Sequence, residues 1–256
     1  MSTIGLTLHQ FRYDQKVFWR NPASVFFTVM LPVIFLFIFA TIFGNDTIDA
    51  RGGIKTTTYY VPAIVSLAVI SATMQSLAIN LAQDRERGLL KRVRGTPLPA
   101  PIFVAGRVGN SLVVSLLLLV LVSVIGKLVY GVSLPDQTIP AVLLTLIVGA
   151  FSFCCLGFAL TAAIPSEDAA PAIANATILP LYFISGIFIP DSEIPQGVLN
   201  FADIFPIRHF FEAFFSAWDP NTVGNGIEWG DLGIVLAWGV AGLLVALRFF
   251  SWEPRR

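Results

Sequence analysis

The run Tyr60–Ala82, YVPAIVSLAVISATMQSLAINLA, holds no charged residue, and one residue later the chain enters Asp84–Pro97, DRERGLLKRVRGTP, where every second residue on average is charged. A bilayer's hydrocarbon core is about 30 Å thick and takes about 20 apolar residues of helix to cross. The first segment therefore reads as a transmembrane helix, and the second as the polar loop by which it leaves the membrane.

Working outward, five further runs have the same character. They cover 23–43, 102–126, 139–164, 169–190 and 229–250, and within them Ala23–Phe43, Val108–Gly126, Ile139–Ile164, Ala169–Pro190 and Leu232–Leu247 are free of charge. Unpaired backbone groups are too costly in lipid, and nothing alternates with the period of a barrel strand, so all six read as helices. Asn21-Pro22 suits the start of the first span, with Asn as cap and Pro at the first helical position. Pro32, Pro62, Pro171 and Pro180 stand within or near the ends of spans, where proline kinks helices. The expected fold class is an all-α integral membrane protein, one transmembrane domain over 1–256 with spans at 23–43, 60–82, 102–126, 139–164, 169–190 and 229–250.

Composition agrees. Of 256 residues, 55% are hydrophobic and 12% charged, against about 25% charged in a typical soluble domain. The 16 Lys and Arg balance 16 Asp and Glu, which points away from nucleic acid or another polyanion and leaves the placement of charge as the useful signal. Cys154 and Cys155 are adjacent in an apolar run, a spacing that suits packing and neither a metal nor a disulfide framework. The mixed polar residues before the first span, and the length of that span, argue for a retained N-terminus rather than a cleaved signal.

Orientation follows from basic residues in the connections. With the N-terminus cytoplasmic, Arg12, Lys16, Arg20, Arg85, Arg87, Lys91, Arg92, Arg94, Arg107, Arg248, Arg255 and Arg256 lie inside, and Arg51, Lys55, Lys127 and Arg208 outside, 12 against 4. Both termini are expected in the cytoplasm. Ser166-Glu167-Asp168 dissents, being on the inner side without a basic residue.

Within residues 1–22, Ile4, Leu8, Phe11 and Phe18 fall on one helical face and His9, Arg12, Lys16 and Arg20 on another. This is an interfacial amphipathic helix, either a membrane anchor or an elbow that a partner contacts. In the loop 84–101, Leu89, Leu90 and Val93 recur at helical spacing among the charges. A short cytoplasmic helix would show that ridge to a partner or to the bundle, and the simpler alternative is a basic topology determinant.

The segment DRERGLLKRVRGTP resembles the corresponding loop of the type 2 ABC transporter permeases, acidic-Arg-Glu-x-Gly-Thr-Leu-Glu-Arg-Leu followed by Thr-Pro. Arg85, Glu86, Gly88, Leu90, Arg92, Thr96 and Pro97 match, whereas Leu89 and Lys91 depart from the family's Thr and Glu. The resemblance extends to Tyr60-Val61-Pro62, to Arg20-Asn21-Pro22 and to Ile184–Pro190, and so covers nearly the whole chain. It implies a permease subunit in the cytoplasmic membrane of a prokaryote, paired with a second permease copy or homologue and with an ATP-binding cassette ATPase. In that family the loop carries a coupling helix that docks on the ATPase, which implicates Glu86, Arg87, Gly88, Leu90, Arg92 and Pro97. ATP and Mg would be bound by the partner, with no cofactor in this chain.

Between the last two spans, the external segment 191–228 is rich in aromatics. Phe210, Phe211, Phe214, Phe215 and Trp218 form an apolar stripe beside Arg208 and Glu212. By itself the stripe suits a helix lying at the outer interface, while the resemblance implies a re-entrant roof over the translocation path. In the second span Ser66, Thr73, Ser76 and Asn80 lie near one face, with Gln75 close by. That stripe suits a translocation path and helix packing equally.

Absences narrow the function. A phosphate-binding loop ends in Gly-Lys-Ser/Thr, but the chain's Gly126-Lys127 is followed by Leu128, so ATP must be used by another subunit and the chain is not expected to be an enzyme. No span carries the ionisable relay of a proton-coupled carrier, and His9 and His209 are too far apart in sequence to suggest a membrane enzyme. The expected function is export of a hydrophobic or amphipathic compound, drug or lipid. Export of a lipid-linked glycan or polysaccharide, a secondary carrier and a scaffold subunit are the alternatives.

Overall fold

The computed structural model describes residues 3–44, 47–48, 53–96, 98–222 and 224–254. Helix α1 (Thr3–Trp19) is followed by α2 (Pro22–Phe43) and a small antiparallel ladder of β1 (Thr47–Ile48) with β2 (Ile54–Lys55), in which Ile48 faces Ile54. Next come α3 (Thr56–Ile70), a π-helical turn at Ser71–Gln75, α4 (Ser76–Glu86), α5 (Leu89–Arg94), α6 (Ala100–Tyr130) and α7 (Ile139–Ala163). The chain finishes with α8 (Ala169–Ile184), a 3₁₀ turn at Asp191–Glu193, α9 (Gln196–Ala202), α10 (Pro206–Trp218) and α11 (Trp229–Phe249).

Among the described residues, five helical stretches are long and apolar enough to cross a membrane: Val25–Phe43, Thr56–Glu86, Ala100–Tyr130, Ile139–Ala163 and Trp229–Phe249. The sixth expected span, 169–190, is shorter than read, with α8 covering 16 residues. At 1.5 Å per residue that is about 24 Å, less than a full bilayer core. The helix stops because Gly186 takes φ of 88° and swings the chain aside, and Tyr59 and Tyr60 hold that turn by donating hydroxyl hydrogens to the carbonyls of Gly186 (2.5 Å) and Phe188 (3.2 Å).

Helix α3 lies at the centre and every one of its residues is buried, as expected of a helix apolar all round. Helix α7 is the second axis. Lipid gives helices no hydrophobic reason to associate, so small residues that permit close approach decide the contact. A methyl at Gly239 of α11 would sit 2.6–2.7 Å from Ser152 of α7, and one at Gly242 would sit 2.9–3.1 Å from Leu156 and Cys155. On α7 itself, Gly149 lies under the ring of Phe210 and Gly157 under the backbone of Thr73 and Met74. Cys154 and Cys155 are buried and unpaired, as packing residues should be.

Helix α1 docks on α6. Phe11 lies against Gly109, Gln10 against Gly106, and Phe18 joins a cluster with Ala68, Ala72, Val114 and Leu118. The contact also buries a carboxylate that hydrophobic patterning overlooks. Asp14 is 3% exposed, accepts two 3.2 Å bonds from Gln10 Nε2, and has Arg107 Nε 3.6 Å away. Burial raises its pKa above 3.8 and outweighs the opposing Arg107 charge and Gln10 bond, with Asp84 adding a smaller upward push.

Two consequences follow for stability. Gly149→Val should lower the melting temperature in detergent by the equivalent of about 1–3 kcal/mol through overpacking, and adding Phe210→Leu should recover part of it. A carboxyl whose folded pKa is raised contributes fully below the unfolded value and loses that contribution as pH climbs through the folded one. Raising pH through that folded value should therefore weaken the docking of α1, read as a falling melting temperature, and Asp14→Asn should flatten that part of the profile.

Candidate coupling site

Four consecutive residues at the end of α4 send their side chains to three different elements. Asp84 accepts from Arg107 of α6 at 2.6 Å, which joins it through Arg107 to Asp14 of α1. Arg85 reaches the C-terminus of α7, Glu86 folds back onto Arg85, and Arg87 donates to Glu167 in the α7–α8 connection, Nε to Oε1 at 3.0 Å. The dissenting acidic turn Ser166-Glu167-Asp168 thereby finds its basic partner across space. These groups share one end of the bundle with α1 and with Phe250 and Trp252, which pack on Phe158 and Phe103.

Among the described residues, Arg85 is the largest fully buried polar side chain, 0% exposed. Its Nη1 donates to Thr161 O at 3.1 Å, Nη2 to Ile164 O at 2.6 Å, and Nε to Glu86 Oε1 at 2.8 Å. The last carbonyls of a helix lack backbone donors. Here the shortage is sharper, because the residue that would pair with Thr161 O in a continued helix is Pro165, which has no N–H. A cation also suits the negative end of the helix dipole. A loop that merely set topology would not need this burial.

Gly88 begins α5 with φ of 71°, a left-handed value that L side chains avoid. The turn aims Leu90 inward, where it is 1% exposed and packs with Leu77, Leu81, Phe103, Cys154, Phe158 and Ala246 of four helices. The apolar ridge read in the sequence therefore faces two ways, since Leu89 stays 42% exposed. Arg92 is exposed along with Lys91 and Arg94. Of the expected coupling residues, Arg87 and Arg92 present themselves outward, Leu90 and Glu86 are engaged inside the chain, and Pro97 lies outside the described residues.

The polar stripe of the second span does not stay together. Ser66 and Thr73 are fully buried, and Thr73 spends its hydroxyl on Val69 O at 2.6 Å. Ser76 and Asn80 are bonded to each other at 3.2 Å and line a polar cavity of about 80 Å³ with Asp14, Asp84, Arg107 and Asn110. The π-helical turn Ser71–Gln75, which includes Thr73, lies between Ser66 and Ser76, and its wider winding rotates the following face relative to a regular helix. It also directs Ser71 to Tyr182 (3.1 Å) and Gln75 to Asn175 (2.5 Å) on α8, contacts that a uniform 3.6-residue period does not anticipate.

At the opposite end, Phe210, Phe211 and Phe214 are 0% exposed and Phe215 is 4% exposed. Phe210 meets Phe153 of α7 edge-on at 5.2 Å, while Phe211 and Phe215 pack on Tyr59 at 5.5 and 5.4 Å. The stripe is thus enclosed by α3, α7 and α11. Arg208 holds α10 in place through Asp191 (2.9 and 3.1 Å) and Asp203 (2.6 Å), and His209 sits between Asp231 (2.7 Å) and the Asp203 carbonyl (2.8 Å). Beside it, Phe43, Tyr60 and Phe188 line an open pocket of about 640 Å³. No group of three His, Cys, Asp or Glu among the described residues could hold a metal ion.

Comparison with known proteins supplies the class. Residues 8–217 match the model of the family described as ABC-2 type transporter. The putative transport permease YvfS of Bacillus subtilis (strain 168) is 22% identical over 233 residues, 91% of this chain and 92% of that protein. The daunorubicin resistance ABC transporter permease protein DrrB1 of Streptomyces coeruleorubidus is 24% identical over 209 residues, 81% of this chain and 73% of that one. The inner membrane transport permease YadH of Escherichia coli (strain K12) is 22% identical over 215 residues, covering 81% and 83%. With a family match over residues 8–217 and a helical membrane architecture, the chain belongs to the ABC-2 type transporter permeases.

Proposed function

We propose that the chain is the membrane subunit of an ATP-driven exporter that moves a hydrophobic or amphipathic compound, a drug or a lipid, out across the cytoplasmic membrane. The observation that carries this reading is the mounting of α5: Leu90 and Gly88 fix it to the bundle while Leu89, Lys91, Arg92 and Arg94 stay exposed on its outer side. A helix held rigidly on one face and offered on the other suits a partner that pushes. The partner is a separate ATPase subunit, which binds ATP and Mg, and a second permease copy or homologue completes the membrane part. The basic end lies in the cytoplasm, in keeping with the 12 to 4 distribution of Lys and Arg.

The name of DrrB1 supports a drug-like substrate, and the aromatic pocket of Phe43, Tyr60 and Phe188 offers rings on which such a molecule could stack. The translocation path runs beside the α8-facing groups Ser71 and Gln75 with Asn175, since Ser66 and Thr73 are enclosed within one chain. Helix α10 forms the roof, with Phe210, Phe211, Phe214 and Phe215 closing the outer end.

Copurification from mild detergent tests the role. The wild-type chain should bring an ATPase subunit with it, and Arg92→Glu with Arg94→Glu should reduce the recovered ATPase by roughly tenfold through like-charge or lost-charge effects at the interface. Undiminished recovery with the double variant would move docking away from α5. Transport by the reconstituted chain without nucleotide or ATPase would overturn the exporter reading.

A further inference from the structure

We propose that Arg85 is a positioning residue for energy coupling: it ties the α5 segment to the C-terminal end of α7, so that displacement of α5 is carried along α7 to the aromatic end. The proposal rests on the coupling reading above and adds the element through which the push leaves the loop.

Three observations converge on it. Arg85 and Arg87 are two residues apart and both reach the α7–α8 connection, one through the buried carbonyls of Thr161 and Ile164 and the other through exposed Glu167. An exposed pair contributes little, so the buried guanidinium, with all three nitrogens engaged, is the stiffer of the two links. The α7 it grips is also the helix whose glycines leave no slack. Gly157 fits under Thr73 and Met74, Gly149 under Phe210, and its neighbours Ser152 and Cys155 under Gly239 and Gly242. Close-packed interiors transmit displacement instead of absorbing it. A shift of α7 at Ile164 thus reaches Phe210, the first ring of the α10 stripe, without crossing a loop.

Pro165 sharpens the need for the arginine. Because Pro165 cannot donate to Thr161 O, that carbonyl has, among the described residues, a long 3.3 Å bond from the Ile164 N–H beside the Arg85 bond. Ile164 is itself fully buried beside Ala78, Ala82 and Ala170. A lysine could reach these two carbonyls with one ammonium but without the fork that spans both.

Hydrogen–deuterium exchange on the permease copurified with its ATPase in nanodiscs tests the link, comparing the nucleotide-free complex with one trapped by Mg-ATP and vanadate. In the wild type, trapping should change uptake at 89–94, 157–165 and 206–218. In Arg85→Gln the ATPase should remain bound and the response at 89–94 persist, while the response at 157–165 and 206–218 falls roughly fivefold, within the range for cutting one coupled contact. Arg85→Lys should give an intermediate response, and it carries the test should the Gln variant not fold. An unchanged response at 206–218 in a variant that retains ATPase binding overturns the proposal. So does simultaneous loss at 89–94, which would mark Arg85 as part of the loop's own stability. Absence of ATPase from the wild-type preparation would instead overturn the coupling reading itself.

Discussion

A membrane interior has no water to complete a hydrogen bond, so each carbonyl left over where a helix ends must find a donor within the protein, often on a side chain. This chain answers that constraint repeatedly, and its architecture follows the answers. Arg85 supplies the end of α7. Tyr59 and Tyr60 supply the turn that stops α8. Thr138 donates to Ala217 O at the end of α10, and Trp238 to Ile204 O before it begins. Each of these bonds joins segments distant in sequence, so satisfying the backbone and fixing the tertiary arrangement are the same event.

The same solvent removes the usual reason for helices to meet. What remains is close contact, and it is concentrated on α7, whose small residues and those of α11 bring two backbones together. Around that pair the chain is stiff, whereas α2 turns a row of large side chains outward, among them Phe27 at 64% and Ile42 at 68% exposed. The contrast divides the molecule into an inner frame of α3, α7 and α10, which one side of α11 joins, and an outer face of α2, α8 and the other side of α11. The frame is where a push at the basic end would be conducted. The outer face is where apolar surface remains for lipid, substrate or another subunit.

Charge follows a parallel logic. Opposed ions are tolerated where several elements converge, so Arg107 serves Asp84 and Asp14 from one position between α1, α4 and α6. A basic end built in this way does more than satisfy a topology rule, because Arg85, Arg87 and Arg107 are committed to named acceptors on α1, α4, α7 and the α7–α8 connection. In α5, by contrast, Lys91, Arg92 and Arg94 stay outward.

Reading the chain alone determined the solvent it folds in, the helices and most of their limits, the amphipathic α1 and the segment that carries α5. All of these depend on hydropathy and short-range spacing, which are written locally. The start of α2 at Pro22 belongs to the same kind of information, whereas the inward turn of Leu90 was settled only by packing. What only the tertiary structure decided were the pairings across the bundle: Asp14 buried against Arg107, Arg85 on the last carbonyls of α7, Arg87 on Glu167, and the stripe Ser66, Thr73, Ser76, Asn80 divided by a π-helical turn. A side chain's period along its own helix says which way it points, but not which helix stands there. In a bundle held by close contact and by donors reaching distant carbonyls, that second fact comes into being only when the helices pack.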